Sequence, residues 1–212
     1  VTENFELYLK ATESAAIAAA KLRGNGDGKA ADKVATEAMR KVLQDSEVHT
    51  RVVIGEGERD DAPMLYIGEE MGNPESDLKI DIAVDPLECT NHCAKDLPDA
   101  LSVLAAAPRG ALLNAPDTYM NKLCGSSKLI GHIALDNSVE DNLSQAAKAL
   151  QKNISELKII VMDRERHIDL ISTLKDLGVQ PILIGDGDVS GGLKAAEAVS
   201  YTHLTLPTKS RG

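Results

Sequence analysis

The feature that most constrains the fold of this chain is an apolar run that leads into an acidic turn, I-A-V-D-P-L-E-C-T, from Ile82 to Thr90. The residues from Leu78 to Val84 predict a buried strand, which we expect to stop at Pro86 because proline cannot donate to a strand ladder. Asp85 and Glu88 then lie in one tight turn, where two carboxylates repel each other unless a cation or a proton lies between them. The turn therefore favours a hard ion such as Mg²⁺ or Mn²⁺. The alternative is an ordinary strand end with a solvated Glu88.

A second strand is also followed directly by acids. The residues from Arg51 to Ile54 predict a short buried strand, and G-E-G-E-R-D-D follows at positions 55–61. Acid clusters are most often solvated loops, but glycine lets the backbone turn sharply and aim successive carboxylates at one point. Because the pattern of a strand followed by acids occurs twice, we interpret it as a metal site.

Two helices are predicted before these strands. Helical spacing of apolar residues from Phe5 to Leu22 ends at the glycine-dense segment 24–28, and a second helix follows from about Ala30 to Leu43. Asp32 lies in the predicted first turn of this second helix. A carboxylate there suits the helix dipole, so a capping role for Asp32 is the alternative to a ligand role.

Strands and helices alternate in the second half of the chain. We predict strands at 100–107, 130–135, 157–162 and 181–184, and helices at 139–150, 168–177 and 188–198. Alternation with short links predicts a largely parallel sheet flanked by helices. Ligands meet such sheets beyond the carboxyl ends of the strands, which is where Arg164, Arg166, Asp186 and Asp188 are expected. Surface charge and a β-turn are the alternatives for these arginines and aspartates.

Composition excludes several classes of partner. A formal net charge of −10 disfavours nucleic acid and anionic membranes, and an aromatic content of 2% makes stacking on bases or sugar rings an improbable mode of recognition. Three cysteines without C-x-x-C spacing fit free thiols better than a zinc site. No apolar run reaches the length of a membrane span, and no export signal is found, so we expect a cytoplasmic protein.

Six motifs occur in a fixed order along the chain: G-D-G-K-A-A-D (26–32), V-I-G-E-G-E-R-D-D-A-P-M-L-Y (53–66), D-P-L-E-C-T (85–90), N-A-P-D-T-Y-M (114–120), M-D-R-E-R-H (162–167) and D-G-D-V (186–189). This series resembles the class II fructose-1,6-bisphosphatases of bacteria, the GlpX type, over about residues 10–198. The resemblance implies an α/β protein with the layered α-β-α-β-α fold of the lithium-sensitive, metal-dependent sugar phosphatases.

The resemblance also implies roles for individual residues. Asp32 and Glu56 match ligands of one divalent ion, Mn²⁺ or Mg²⁺, and Asp85 and Glu88 match ligands of a second. Asp60 and Thr90 match the residues that position and deprotonate the attacking water. The positions that contact substrate are matched by Glu88, Cys89, Thr90, Tyr119, Arg164, Glu165, Arg166, Asp186, Gly187 and Asp188.

The implied reaction is hydrolysis of the 1-phosphate of fructose 1,6-bisphosphate, and in some members of sedoheptulose 1,7-bisphosphate, in gluconeogenesis or the Calvin cycle. The implied partner is a small sugar bisphosphate, and the full-length protein is expected to form a homo-oligomer. An inositol-monophosphatase-like phosphoesterase is the alternative enzyme, although D-P-x-D-G-T is usual there and this chain has Glu88. A metal-binding fragment without turnover is the alternative from another class.

The chain departs from the family pattern at three places. Cys89 stands where glycine is usual, and the lysine of the first loop is shifted to Lys29. The family continues through a glycine-rich segment with a further glutamate ligand, whereas residues 199–208 resemble a translated sequencing adapter. We therefore predict domains at 1–135 and 136–198, the second truncated, an artefactual tail at 199–212, and little turnover by this chain alone.

If the ligand roles hold, the carboxylates of Asp32, Glu56, Asp85 and Glu88 converge in space. Like charges at close range cannot all ionise cheaply, so at least one of these groups is expected to have a raised pKa.

Overall fold

The computed structural model describes residues 5–57, 64–115 and 120–197 and the backbone of residues 203–205. The chain divides into two compact units, residues 1–117 and 118–212, which are described separately. The boundary predicted from the sequence lies after residue 135. The boundary in the structure comes earlier in the chain, because Leu123, Leu129 and Ile133 pack with the hydrophobic core of the second unit.

Two helices and a four-stranded sheet build the first unit. Helices α1 (Phe5–Ala20) and α2 (Gly28–Gln44) precede the strands, and a short helix, α3 (Thr90–Ala94), follows the third strand. The strands are β1 (His49–Ile54), β2 (Glu70–Met71), β3 (Lys79–Glu88) and β4 (Leu101–Pro108), in the order β2-β1-β3-β4. The pair β1 and β3 is parallel, and the other two pairs are antiparallel.

The core of the first unit lies between the two long helices and one face of the sheet. Alanines at 11, 15, 31 and 35 are fully buried there and pack with Val52, Ile80 and Ile82. Small side chains let helices approach a sheet closely, so this core needs few large residues. Helix α2 begins at Gly28, and Asp27 caps it by accepting the N–H of Ala30 at 3.0 Å. The capping role considered for Asp32 therefore belongs to Asp27.

The prediction that the third strand stops at Pro86 is wrong. Strand β3 continues to Glu88, and its pairing with β4 passes from Asp85 opposite Val103 to Glu88 opposite Leu101. Three steps on β3 face two on β4, which is a β-bulge. A bulge accommodates proline because one residue there makes no ladder bond.

The second unit contains a parallel sheet, as predicted. Strand β5 (Lys158–Met162) pairs in parallel with β6 (Ile182–Ile184) and β7 (His203–Thr205), and helices α4 (Val139–Leu150), α5 (Ile168–Asp176) and α6 (Asp188–Ala196) accompany them. The core includes Leu143, Ile159 and Leu174. Residues 199–212 are predicted to be an artefactual tail, yet the backbone of 203–205 adds a strand to this sheet.

The predicted strand at 130–135 is wrong. The chain there follows a 3₁₀ turn at Ser127–Leu129, and Gly131 has a left-handed backbone with φ of 78°. The N–H and C=O of Ala134 bond the side chain of Asn142 at 3.0 and 2.8 Å. A helix side chain therefore takes the place of a neighbouring strand.

A buried ion pair crosses the sheet of the first unit. The carboxylate of Asp81 is 1% exposed and accepts bonds from Arg51 at 2.8 and 3.0 Å and from the N–H of Gly110 at 2.7 Å. Burial alone would raise the pKa of Asp81, but these bonds and the charges of Arg51 and Arg109 together hold it below its ordinary value. Its stabilising contribution is therefore present above the ordinary range for Asp and is lost as the pH falls.

We expect Asp81→Asn to lower the free energy of unfolding by about 2–3 kcal/mol, because Arg51 loses its carboxylate and Arg109 keeps only Glu70. Urea unfolding at pH 7 measures the loss. Asp77→Asn, at an exposed position of the same unit, is the control and should stay within about 0.5 kcal/mol of the wild type. Equal stability of the two variants would contradict the expectation.

Candidate metal and substrate site

Asp32 projects from the second turn of helix α2 and is half-buried. Its carbonyl accepts the hydroxyl of Thr36 at 3.0 Å, within the helix. Burial raises the pKa of the Asp32 carboxyl above its ordinary value. The side chain is thus an acid that the fold has partly removed from water.

Glu56 follows strand β1 by two residues and is also partly buried. Its pKa is raised to about 7, first by burial and then by the negative charges of Asp32 and Asp85. Carboxyls from helix α2, from the end of β1 and from strand β3 therefore act on one another. The raised pKa agrees with the expectation from like charges, although burial is the larger cause.

The other two acids, Asp85 and Glu88, lie on either side of the bulge in β3. The N–H of Leu87 donates to Asp85 Oδ1 at 3.1 Å, which closes a turn around Pro86. Glu88 ends the strand, and its Oε2 accepts a hydrogen bond from the thiol of Cys89 at 2.8 Å. Cys89 itself has φ of 68°, a left-handed conformation that glycine adopts more cheaply.

A cavity of about 690 Å³ lies at the start of helix α2. Its lining includes Lys29, Asp32, Thr90 and Asn91. A Cβ on Gly28 would lie 3.4 Å from the carbonyl oxygen of Thr90, so glycine permits this close approach. Thr90 and Asp32, which are far apart in the sequence, therefore line the same cavity.

The acids do not form a closed ligand set. Within the described ranges, no group of three or more His, Cys, Asp or Glu side chains is arranged so that it could hold a metal ion. The charges of Asp32 and Asp85 nevertheless act on Glu56. The donors fit a hard divalent cation in kind, since all are carboxylate oxygens. The ligand roles of Asp32, Glu56, Asp85 and Glu88 stay predictions.

The acids of this cluster give the metal-free chain a distinctive pH dependence. Glu56 keeps its proton in the folded state up to about pH 7, whereas the unfolded chain loses it near 4.5. Between these values the folded state binds more protons, so stability should fall as the pH rises, by about 1–2 kcal/mol after allowance for screening.

Glu56→Gln should remove this fall, because glutamine does not titrate. Urea unfolding of the metal-free wild type and variant at pH 5 and pH 8 measures the difference. The same change with pH in both proteins would show that Glu56 does not carry it.

The remaining predicted residues lie in the second unit. Arg164, Glu165 and Arg166 follow β5, and Asp186, Gly187 and Asp188 follow β6. Because β5 and β6 are parallel, with Met162 opposite Ile184, both groups begin at the same edge of the sheet. Gly187 has φ of 88°, and its N–H donates to Asp186 Oδ1 at 3.1 Å.

Sequence reasoning missed a partner of Asp188. The ammonium group of Lys122 forms an ion pair with this carboxylate. No local pattern signals the pair, since the two residues are 66 positions apart. Asp60 and Tyr119, assigned to catalysis and to substrate contact, lie outside the described residues.

Comparison with known proteins gives one family. The sequence profile of the bacterial, glpX-encoded fructose-1,6-bisphosphatases matches residues 3–208. A relative from Synechococcus sp. (strain JA-3-3Ab) is 46% identical over 198 residues, covering 88% of this chain and 57% of the relative. A relative from Synechocystis sp. (strain ATCC 27184 / PCC 6803 / Kazusa) is 44% identical over 209 residues, covering 93% and 61%.

Both relatives are named D-fructose 1,6-bisphosphatase class 2/sedoheptulose 1,7-bisphosphatase. The chain spans about three fifths of the length of these curated relatives. No helix within the described part of the chain is both long enough and apolar enough to span a bilayer.

Proposed function

This chain belongs to the glpX-encoded family of bacterial fructose-1,6-bisphosphatases, and on that premise we propose that the protein removes the 1-phosphate of fructose 1,6-bisphosphate. The products are fructose 6-phosphate and inorganic phosphate. Sedoheptulose 1,7-bisphosphate is a second substrate, since the relatives carry both names. The reaction belongs to gluconeogenesis or the Calvin cycle, in a cytoplasmic homo-oligomer with the layered α-β-α-β-α fold.

The observation that carries this proposal is the mutual effect of acids from three separate elements. Asp32 and Asp85 both raise the pKa of Glu56, and Asp32 lines a cavity that also reaches Thr90. Isolated surface acids do not behave in this way, because water screens them. A group of partly buried carboxylates that raise one another's pKa is an arrangement that a divalent cation stabilises.

Asp32, Glu56, Asp85 and Glu88 would hold two divalent cations, Mn²⁺ or Mg²⁺. Bound at this place, such cations polarise the phosphate, lower the pKa of water and stabilise the leaving oxygen. The protein's own part is to present oxygen donors of the right kind from helix α2, from the segment after β1 and from the β3 bulge. Asp85 and Glu88 are the paired residues on either side of the bulge, and the Cys89 thiol fixes one oxygen of Glu88.

Thr90 and Asp60 orient and deprotonate the attacking water. The hydroxyl of Thr90 orients it, and the carboxylate of Asp60 accepts its proton as the new P–O bond forms. The bond between phosphorus and the C1 oxygen breaks, and that oxygen leaves with the sugar. The backbone of residues 88–90 contacts the phosphate that is removed.

Other residues are assigned to the part of the substrate that stays intact. Arg164 and Arg166 bind the other phosphate, because guanidinium groups bind phosphate with two parallel hydrogen bonds. Glu165, Asp186 and Asp188 accept hydrogen bonds from sugar hydroxyls, with the left-handed Gly187 between the two aspartates. Tyr119 contributes a further contact to the substrate.

Phosphate release with Mn²⁺ or Mg²⁺ tests the function. The protein, extended by the C-terminal part that its relatives have, is assayed on fructose 1,6-bisphosphate, sedoheptulose 1,7-bisphosphate and inositol 1-phosphate. We expect release from the two bisphosphates that chelators abolish. Preference for inositol 1-phosphate, or release that is unaffected by chelators, would refute the proposal.

A further inference from the structure

The position of Glu56 is set by a residue nine places further along the chain. The N–H of Glu56 donates to the carbonyl of Leu65 at 3.0 Å. A Cβ on Gly55 would lie 2.1 Å from the same carbonyl oxygen, so the two backbone segments are in direct contact. Leu65 is fully buried and has φ of 52°, a strained conformation for leucine that its surroundings must maintain.

Glu69 maintains this conformation. One of its carboxylate oxygens accepts the N–H of Leu65, and its carbonyl accepts the N–H of Val52 at 2.9 Å. The other carboxylate oxygen accepts Nε of Arg40 at 2.7 Å, and the Glu69 side chain is only 5% exposed. Both oxygens are therefore used, one on the segment that holds Glu56 and one on helix α2.

Asp32 and Arg40 lie on helix α2 at positions i and i+8, with the buried Thr36 at i+4 between them. Eight residues of helix span about 12 Å. Helix α2 thus carries Asp32 directly and reaches Glu56 through Arg40, Glu69 and Leu65. One helix therefore bears Asp32 and is connected by hydrogen bonds to the backbone of Glu56.

We propose that Arg40 and Glu69 are positioning residues that hold Glu56 in register with Asp32 for cation binding. The inference rests on the proposed function, because it takes Asp32 and Glu56 as ligands. Loss of a residue that hydrogen-bonds and orients a metal ligand typically lowers metal affinity by about 10–100-fold. A purely structural ion pair would change stability and leave affinity alone.

The chain offers a matched control for this pair. Arg51 is as exposed as Arg40, 36% against 35%, and both arginines bind a buried carboxylate in the first unit. The partner of Arg51 is Asp81, which, within the described residues, forms its other hydrogen bond and ion pair with Gly110 and Arg109 and not with the segment that holds Glu56. Loss of Arg51 should therefore cost stability without moving Glu56.

The test titrates the 212-residue chain with Mn²⁺ well below the unfolding temperature of each variant. Arg40→Ala and Glu69→Gln should weaken Mn²⁺ binding about tenfold or more, Arg40→Lys should restore part of it, and Arg51→Ala should change it less than threefold. Hydrogen exchange of the Glu56 amide, measured without metal, should speed up in Arg40→Ala and not in Arg51→Ala.

The outcomes separate the inference from the proposed function. A wild-type chain that does not bind Mn²⁺ overturns the ligand set and this inference with it. A wild type that binds Mn²⁺, with equal affinity in the Arg40 and Arg51 variants and an unchanged Glu56 amide, overturns the positioning role alone. If Arg40→Ala does not fold, Glu69→Gln and Arg40→Lys decide, since both retain the volume of the native side chain.

Discussion

We expect Asp60→Asn to lower kcat by about 10²–10⁴ in the protein extended by the C-terminal part of its relatives, the usual contribution of a positioned general base. Asparagine has nearly the same shape as aspartate but cannot accept the proton of the attacking water. Asp60 is assigned to that proton and not to a cation, so Mn²⁺ affinity should stay nearly unchanged. Steady-state phosphate release at saturating Mn²⁺ measures the effect.

The neighbouring acid provides the control for this substitution. Asp61→Asn removes the same charge one residue away and should leave kcat within a few-fold of the wild type. If Asp60→Asn instead lost Mn²⁺ affinity and kept its kcat at saturating Mn²⁺, Asp60 would be a ligand and the assigned roles would be reversed.

A second large effect is expected for Asp85→Asn, which should weaken Mn²⁺ binding to the 212-residue chain by more than about 100-fold. Loss of a direct ligand should weaken Mn²⁺ binding more than loss of a residue that only orients a ligand, which weakens metal binding about 10–100-fold. Asparagine keeps the oxygen that accepts the N–H of Leu87, so the turn around Pro86 is retained. The loss would therefore report the missing charge and not a collapsed bulge.

Calorimetric titration with Mn²⁺ measures this affinity. Asp77→Asn is the control, because Asp77 is exposed in the turn before the same strand. Unchanged affinity in Asp85→Asn would remove Asp85 from the ligand set.

The helices and strands were largely predictable because their patterns are local. Helix α4 has the predicted bounds, and the parallel pairing of β5 with β6 follows from the alternation of strands and helices. The errors arose where a distant partner decides the local structure. Strand β3 continues past Pro86 because β4 is there to pair with it, and Asn142 keeps residues 130–135 out of a sheet.

In the candidate site too, local patterns were predictable from the sequence and contacts between distant residues were not. Motifs placed Asp32, Glu56, Asp85 and Glu88 in the sequence, and the structure adds the mutual influence of the first three. The contact of Arg40 with Glu69 joins residues 29 positions apart, so no spacing rule could have indicated it. The sequence marked Cys89 as a departure from glycine and as a substrate-contact position, whereas the structure shows that its thiol donates a hydrogen bond to Glu88.

A crystal structure of the protein grown with Mn²⁺, with anomalous scattering measured at the manganese edge, tests the central claim most directly. We expect two peaks about 3.5–4 Å apart, contacted by the carboxylates of Asp32, Glu56, Asp85 and Glu88. Peaks found only elsewhere, for example at Asp186 and Asp188, or no peak at these four side chains at saturating Mn²⁺, would contradict the account.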